Sequence, residues 1–382
     1  MSEIPASVPV PLLDLKKQYA TIKSEVRPVI DEVCDAQGFI LGPRVEAFEK
    51  AIAAYVGTKH AIGMSSGTDS QLAAMMAAGV GPGDEVVTSP YSFFSTAGAV
   101  ARLGARAVFC DIEPETFNLD PAKLAAAITP RTKVIQPVHL YGQCSDMDPI
   151  LEVAMAKGIP VLEDACQSLG AAYKGKKAGA HGTFGAFSFF PSKNLGGFGD
   201  GGIVTTDDDE MATTLRALRT HGETTRYHHR IVGGNFRLDA LQAAILHVKL
   251  PHLDDWAEGR RRNAKEIEAL YLEFGGKLFD QGGLKFPREA AGCHHVYNQF
   301  VVRVGKGRRE AAKEFLAARQ IGHAVYYPVP LHLQECFAAW GGKPGSCPES
   351  EKAARETLAL PVFPELTAEQ KRFLAWSLAE FS

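Results

Sequence analysis

An α/β fold, with a mostly parallel sheet sandwiched by helices, is predicted by three features of the 382-residue chain. From about residue 45 to 165, short apolar runs alternate with helical stretches of 10–15 residues, and that rhythm builds βαβ units. After Asp164 it breaks, because FGAFSFF (184–190) and GGIVTTD (201–207) read as two strands joined by a Gly-rich loop rather than a helix. The last hundred residues alternate less and carry different punctuation. They predict a smaller C-terminal α/β domain, residues 251–382, after a large domain, residues 1–250. The length suits two domains at roughly 100–200 residues each.

The elements follow in order. A helical stretch at 45–56 leads to the apolar run 60–64, then to an Ala- and Met-rich helix starting near Gly67. The turn GPGDE (81–85) precedes the strand EVVTSP, and RAVFCD (106–111) and KVIQPV (133–138) are further strands. Asp120-Pro121 opens a helix, since Pro favours the first helical position and Asp caps it. PVLED (160–164) completes the series. A long helical pattern covers residues 238–274, and Pro251 should kink it.

Composition excludes several classes. Hydrophobic residues are 46% and charged residues 22%, a globular balance rather than a disordered one. Lys+Arg 41 against Asp+Glu 44 gives a net charge of −3, so no global positive field recruits nucleic acid. The start MSEIPASVPVPLLDL does not read as a signal peptide, and no run reaches the roughly 18 apolar residues of a membrane span. Seven scattered cysteines without a CxxC pair argue against a disulfide framework or a metal site. A cytoplasmic location is expected, with no membrane or nucleic-acid partner.

In open α/β sheets, ligands gather at the carboxyl ends of strands, which singles out four segments. Ser65-Ser66-Gly67-Thr68-Asp69 stands where a strand meets a helix. It can cup an anion on backbone N–H groups or simply cap the helix. Asp164 closes PVLED and can hold a protonated ring nitrogen, or serve as a cap or ion-pair partner. Lys193, in FSFFPSKNLGG, follows an apolar strand and precedes two glycines. Burial would lower its pKa and free an amine for an aldehyde, although most lysines are solvated. The run Pro90–Thr96 contributes aromatics that could face a flat ring or fill a core. Together these parts are what pyridoxal phosphate needs: a phosphate cup, a carboxylate, a lysine and an aromatic face.

The chain also resembles the DegT/DnrJ/EryC1/StrS family of nucleotide-sugar aminotransferases, within the fold-type I pyridoxal phosphate enzymes. The resemblance runs almost end to end, through VPLLDLKKQY, FILGPRVEAFE (39–49), SSGTDSQL (65–72), PVHLYGQCSDMDPI (137–150), EDACQSLGA (163–171), FSFFPSKNLGGFGDGG (187–202), GGNFRLDALQAAIL (233–246) and YYPVPLHLQ (326–334). It implies that Lys193 bonds the cofactor aldehyde and moves protons, with Asp164 on the pyridine nitrogen and Gln167 near the 3-hydroxyl. Gly67, Thr68 and Ser188 match phosphate positions, and Phe93 the aromatic over the ring. This chain has Ser92 where many relatives have Thr before that aromatic. Asn235 matches a residue that reaches the phosphate of the neighbouring subunit, which implies a homodimer. Arg226 and His229, in RYHH (226–229), and Tyr327 and His332 resemble substrate-side residues. Asn235 can equally be a turn residue, RYHH a solvated loop, and His332 a structural histidine.

The activity so implied moves an amino group from L-glutamate to a keto-sugar nucleotide, a 3-keto hexose linked to dTDP or UDP, for amino-sugar or polysaccharide biosynthesis. Alternatives are a 4-keto-sugar aminotransferase, a sugar dehydratase of the same fold and a non-catalytic ligand-binding relative. Dehydratases of the family carry histidine where this chain has Lys193, which favours transamination.

Overall fold

The computed structural model describes residues 4–382. Seven strands form the large domain's sheet, in the order His60–Met64, Gly202–Thr206, Phe184–Ser188, Leu162–Asp164, Thr132–Gln136, Glu85–Thr88, Arg106–Phe109. Two β-bridges, Ile135 with Val161 and Val138 with Asp164, join its two halves. Gly202–Thr206 runs antiparallel to both neighbours, and the remaining pairs are parallel. The expected sheet is therefore present, and its one reversed strand is the one that follows the Gly-rich loop.

Alternate strand residues feed separate cores, as the period-two geometry of a strand requires. Ala61, Val87, Ile135, Phe187 and Ile203 pack with Val45, Phe48 and Ile52 of helix Pro43–Val56 and with Met147 and Ile150. Ile62, Val86, Val134, Leu162, Phe184 and Val204 face the opposite way. They pack with Leu72 of helix Gly67–Ala77, with Val100 and with Leu215. Helices therefore cover both faces, and the side chains at the strand ends are left for function.

A second, three-stranded antiparallel sheet, in the order Leu284–Lys285, Phe300–Val304, Thr357–Leu360, packs against helices Leu253–Glu273 and Ala368–Phe381 through Ile267, Tyr271, Phe300, Val302 and Leu374. The amino-terminal segment joins this unit. Val10 N–H donates to the Gln320 carbonyl at 3.0 Å, and Gly322 N–H to the Val10 carbonyl at 2.7 Å. At Pro251 the long helical pattern breaks into Ala240–Lys249, a 3₁₀ turn and Leu253–Glu273. Helix Leu15–Ala36, which the sequence reading passes over, carries Pro28 and buries only Gln18, Ile22, Val26 and Val33. No helix of the described residues is long and apolar enough to cross a membrane.

Candidate active site

A cavity of about 480 Å³ opens at the carboxyl ends of the central strands. Eight of the residues singled out from sequence line it: Gly67, Thr68, Phe93, Asp164, Gln167, Ser188, Lys193 and Tyr327. They come from segments up to 260 residues apart (327 − 67) and meet because each sits at the end of a strand, past one or, for Tyr327, on a segment tied to the sheet.

The anion cup is built from a cap and a constriction. Ser66 caps helix Gly67–Ala77 by accepting from Asp69 N–H at 3.0 Å. The capping role thus falls to Ser66 and leaves the Gly67 and Thr68 N–H groups, at the positive end of the helix, for an anion. A Cβ on Gly67 would lie 2.6 Å from Ser188 Cβ, so only glycine lets the helix start approach the end of strand Phe184–Ser188.

Asp164 is buried at its strand end. Its Oδ2 accepts from Thr96 Oγ1 at 2.8 Å, and its Oδ1 from Cys166 N–H at 3.3 Å. Thr96 is in turn 2.8 Å from the Ser92 hydroxyl. The preceding residue, Glu163, points to the other face and anchors the strand. Its carboxylate accepts from the backbone N–H groups of Gly179, His181 and Gly182 at 2.7–2.8 Å and lies 2.8 Å from His139 Nε2. Ser145 N–H donates to His139 Nδ1 at 3.1 Å, so Nε2 carries the proton and gives it to Glu163. Burial pushes the Glu163 carboxyl up, but the His139 contact and these N–H groups hold it net below its usual value.

Lys193 sits in a loop that leaves no room for a side chain at Gly196. Its N–H donates to the Phe190 carbonyl at 2.8 Å, and a Cβ on Gly196 would lie 2.1 Å from the Pro191 carbonyl oxygen. The buried Lys249 amine donates to the Gly196 carbonyl, and Asn194 Nδ2 to that of Val296 at 3.1 Å. Burial lowers the Lys193 pKa, and only in part do Cys166 and Asp164 oppose it. A larger share of neutral amine results, as an aldehyde-binding lysine needs.

Tyr327 closes the cavity from the carboxyl-terminal third of the chain. Its hydroxyl accepts from Gln167 Nε2 at 2.9 Å, while Gln167 Oε1 accepts from Tyr141 N–H at 2.7 Å. Burial raises the Tyr327 pKa, so the phenol stays protonated. The Tyr326 carbonyl accepts from the hydroxyls of Tyr91, at 2.8 Å, and Tyr141, which ties this segment to the sheet. Phe93 is 55% exposed, its ring 6.2 Å from that of Tyr327.

Four expected residues are not in the cavity. His332 is buried and turned away, with Nε2 3.1 Å from Glu351 Oε1 and its ring near Phe109. The carboxylate holds it as a structural histidine, which corrects its expected substrate-side position. Arg226 and His229 lie on the exposed hairpin Glu223–Thr225/His228–His229, and Asn235 is exposed just beyond it. Conversely, Ser66, Ser95, Cys166, Ser192, Gln299 and Tyr326 line the cavity without having been singled out. Ser66, Ser95, Cys166, Ser192 and Tyr326 sit inside motifs already quoted. Gln299 carries no local signal.

A helix start with unpaired N–H groups, a buried carboxylate, a lysine with a lowered pKa and an aromatic wall fit pyridoxal 5′-phosphate, on the fold of the enzymes that use it. The family follows from comparison with known proteins. Residues 20–376 match the DegT/DnrJ/EryC1/StrS aminotransferase family, and the chain belongs to it. It is similar to a protein of Geobacillus stearothermophilus named pleiotropic regulatory protein, with 50% identity, 97% of this chain and 98% of the other being covered. It is 43% identical to the UDP-N-acetyl-3-dehydro-α-D-glucosamine 3-aminotransferase of Acidithiobacillus ferrooxidans, over 94% of this chain and 95% of that one. The crystal structure of S. venezuelae DesV in complex with a ketimine intermediate superposes with a TM-score of 0.92, at 40% identity and 98% coverage of both chains. The protein is an aminotransferase that depends on pyridoxal phosphate.

Proposed function

We propose that this aminotransferase takes the amino group of L-glutamate and delivers it to the keto carbon of a 3-keto hexose linked to UDP or dTDP, for amino-sugar synthesis in the cytoplasm. The observation that carries the reading is the pairing of Lys193 with Asp164 in one cavity beside an anion cup. The names of the relatives support a sugar acceptor and the C3 position.

Pyridoxal phosphate, when bound, supplies an aldehyde for amino groups and a ring that takes up electrons. The chain's residues do the rest. The Lys193 amine would hold the aldehyde and, when free, would move the proton at the substrate carbon. Asp164, fixed by the Thr96 hydroxyl, would hold the proton on the ring nitrogen. The Gly67 and Thr68 N–H groups and the Ser188 hydroxyl bind phosphate. Phe93 and Tyr327 shield the ring from water. A division near residue 250, with the segment around Val10 joining the smaller unit, lets the Tyr326-Tyr327 segment approach from outside the sheet.

Arg226, His229 and Asn235 take part across a homodimer in this reading. They are exposed beside Tyr227 and Val232, the latter 87% exposed, and apolar side chains so placed favour cover by a second copy. A purely regulatory role, which one relative's name raises, would leave the lysine and carboxylate unused.

The test supplies the holoprotein with L-glutamate and a panel of dTDP-, UDP- and GDP-linked 3-keto and 4-keto sugars. An amino sugar formed from a 3-keto substrate, with one 2-oxoglutarate per amine, is expected. Amination of 4-keto sugars alone would overturn the C3 assignment.

A further inference from the structure

Lys193 borders a second space. A cavity of about 170 Å³ lies behind it, lined by Lys193, Ser192, Gln299 and Tyr326, which also line the larger cavity, and by Arg260, Asn298 and Leu12. Arg260, on helix Leu253–Glu273, is 5% exposed. Its hydrogen bonds among the described residues are two long ones, from Nη1 to the carbonyls of Tyr297 at 3.4 Å and Asn298 at 3.5 Å. Its charge is favoured only by the more distant Glu365, and burial lowers its pKa to about 10, so it remains a cation at neutral pH. Burial penalises a guanidinium that no close carboxylate pairs. Nearby, Gln299 Oε1 and Asn298 Oδ1 are buried without a hydrogen-bond donor.

We propose that this second cavity is the carboxylate site for the amino donor and its 2-oxoacid product, with Arg260 as the residue that selects an amino acid. The proposal rests on the transamination reading above and assigns the donor a place of its own. An amino acid carries a carboxylate for the guanidinium fork and N–H donors for the orphaned amide oxygen of Gln299. A nucleotide-linked sugar exceeds the space. Because Lys193 and Gln299 border both cavities, donor and acceptor reach the same lysine from two sides. A product 2-oxoacid keeps the carboxylate and loses the amine, so it retains the Arg260 contact and gives up that of Gln299.

The experiment titrates 2-oxoglutarate onto the cofactor-loaded protein by calorimetry, where no turnover contributes, in wild type, Arg260→Met, Arg260→Lys and Leu12→Trp. Arg260→Met should weaken binding about tenfold or more, the loss of one charge-assisted pair. Arg260→Lys should fall between, and affinity for the acceptor sugar nucleotide should stay at the wild-type value. Leu12→Trp fills the cavity from another wall and should weaken 2-oxoglutarate without touching Arg260. Wild-type affinity in Arg260→Met overturns the proposal, as it does in Leu12→Trp should Arg260→Met not fold. Wild type whose cofactor absorbance L-glutamate leaves unchanged would instead contradict the donor reading itself.

Discussion

Asp164 shows how a single side chain acquires its role from neighbours distant in sequence. The carboxylate stands at the end of a three-residue strand, and both oxygens are engaged, by Thr96 Oγ1 and by Cys166 N–H. Replacing Thr96 with Val keeps the volume but removes the donor, which should cost about 1–3 kcal/mol. We expect the cofactor to bind roughly tenfold more weakly, or more, in that variant, with the fold's Tm changed far less; titration of the apoprotein with pyridoxal phosphate measures it. The legibility of the site divides here. Asp164, Lys193 and the Ser-Ser-Gly-Thr turn are visible in sequence because each signal is local: a charged or small residue just past an apolar strand. The Gln299 and Arg260 roles are set by packing from the smaller domain, so no spacing announces them. His332 shows the converse, since a histidine in a suggestive motif is claimed by Glu351, 19 positions on.

At the scale of the element, the loop from Pro191 to Gly197 fixes where the lysine points. Gly196→Ala would press a Cβ against the Pro191 carbonyl, and overpacking of this kind costs about 1–3 kcal/mol. A lowered Tm together with weakened cofactor retention is expected, and an unchanged pair would show the loop to be adaptable. Lys249 holds the same loop through the Gly196 carbonyl, and burial lowers its pKa to about 8 from 10.5. The unfolded chain therefore binds more protons than the folded one between those values, so this group makes stability rise as pH climbs from about 8 towards 10.5. Lys249→Met should lose that rise; chemical denaturation at pH 8 and pH 10 compares the two proteins. The strands around this loop were readable from their apolar runs. Helix Leu15–Ala36 was not, because Pro28 interrupts it and only four buried residues mark its inner face.

For the whole molecule, alternation of strand and helix correctly anticipates a mostly parallel sheet between helical layers, whereas the one reversed strand, which follows the Gly-rich loop, is a finding of the structure. The attachment of the amino terminus to the smaller unit through Val10 and Ile321 was not legible, since a single bridge between residues 311 positions apart (321 − 10) leaves no periodic trace. Assembly is the remaining level. If Asn235 serves the neighbouring subunit's phosphate, Asn235→Ala should weaken cofactor retention while its own cavity stays intact. Sedimentation should find a dimer, and a monomer that binds the cofactor fully would contradict shared sites.

The central claim is that Lys193 is the chemical centre, and the absorbance of the loaded protein addresses it directly. Wild type incubated with pyridoxal phosphate should show the visible band of a cofactor joined to lysine, and L-glutamate should bleach it. Lys193→Ala should lack that band and transfer no amino group from glutamate to a keto-sugar nucleotide over many turnovers. Sustained transamination by Lys193→Ala, or a wild-type protein that stays colourless with the cofactor, would contradict the account.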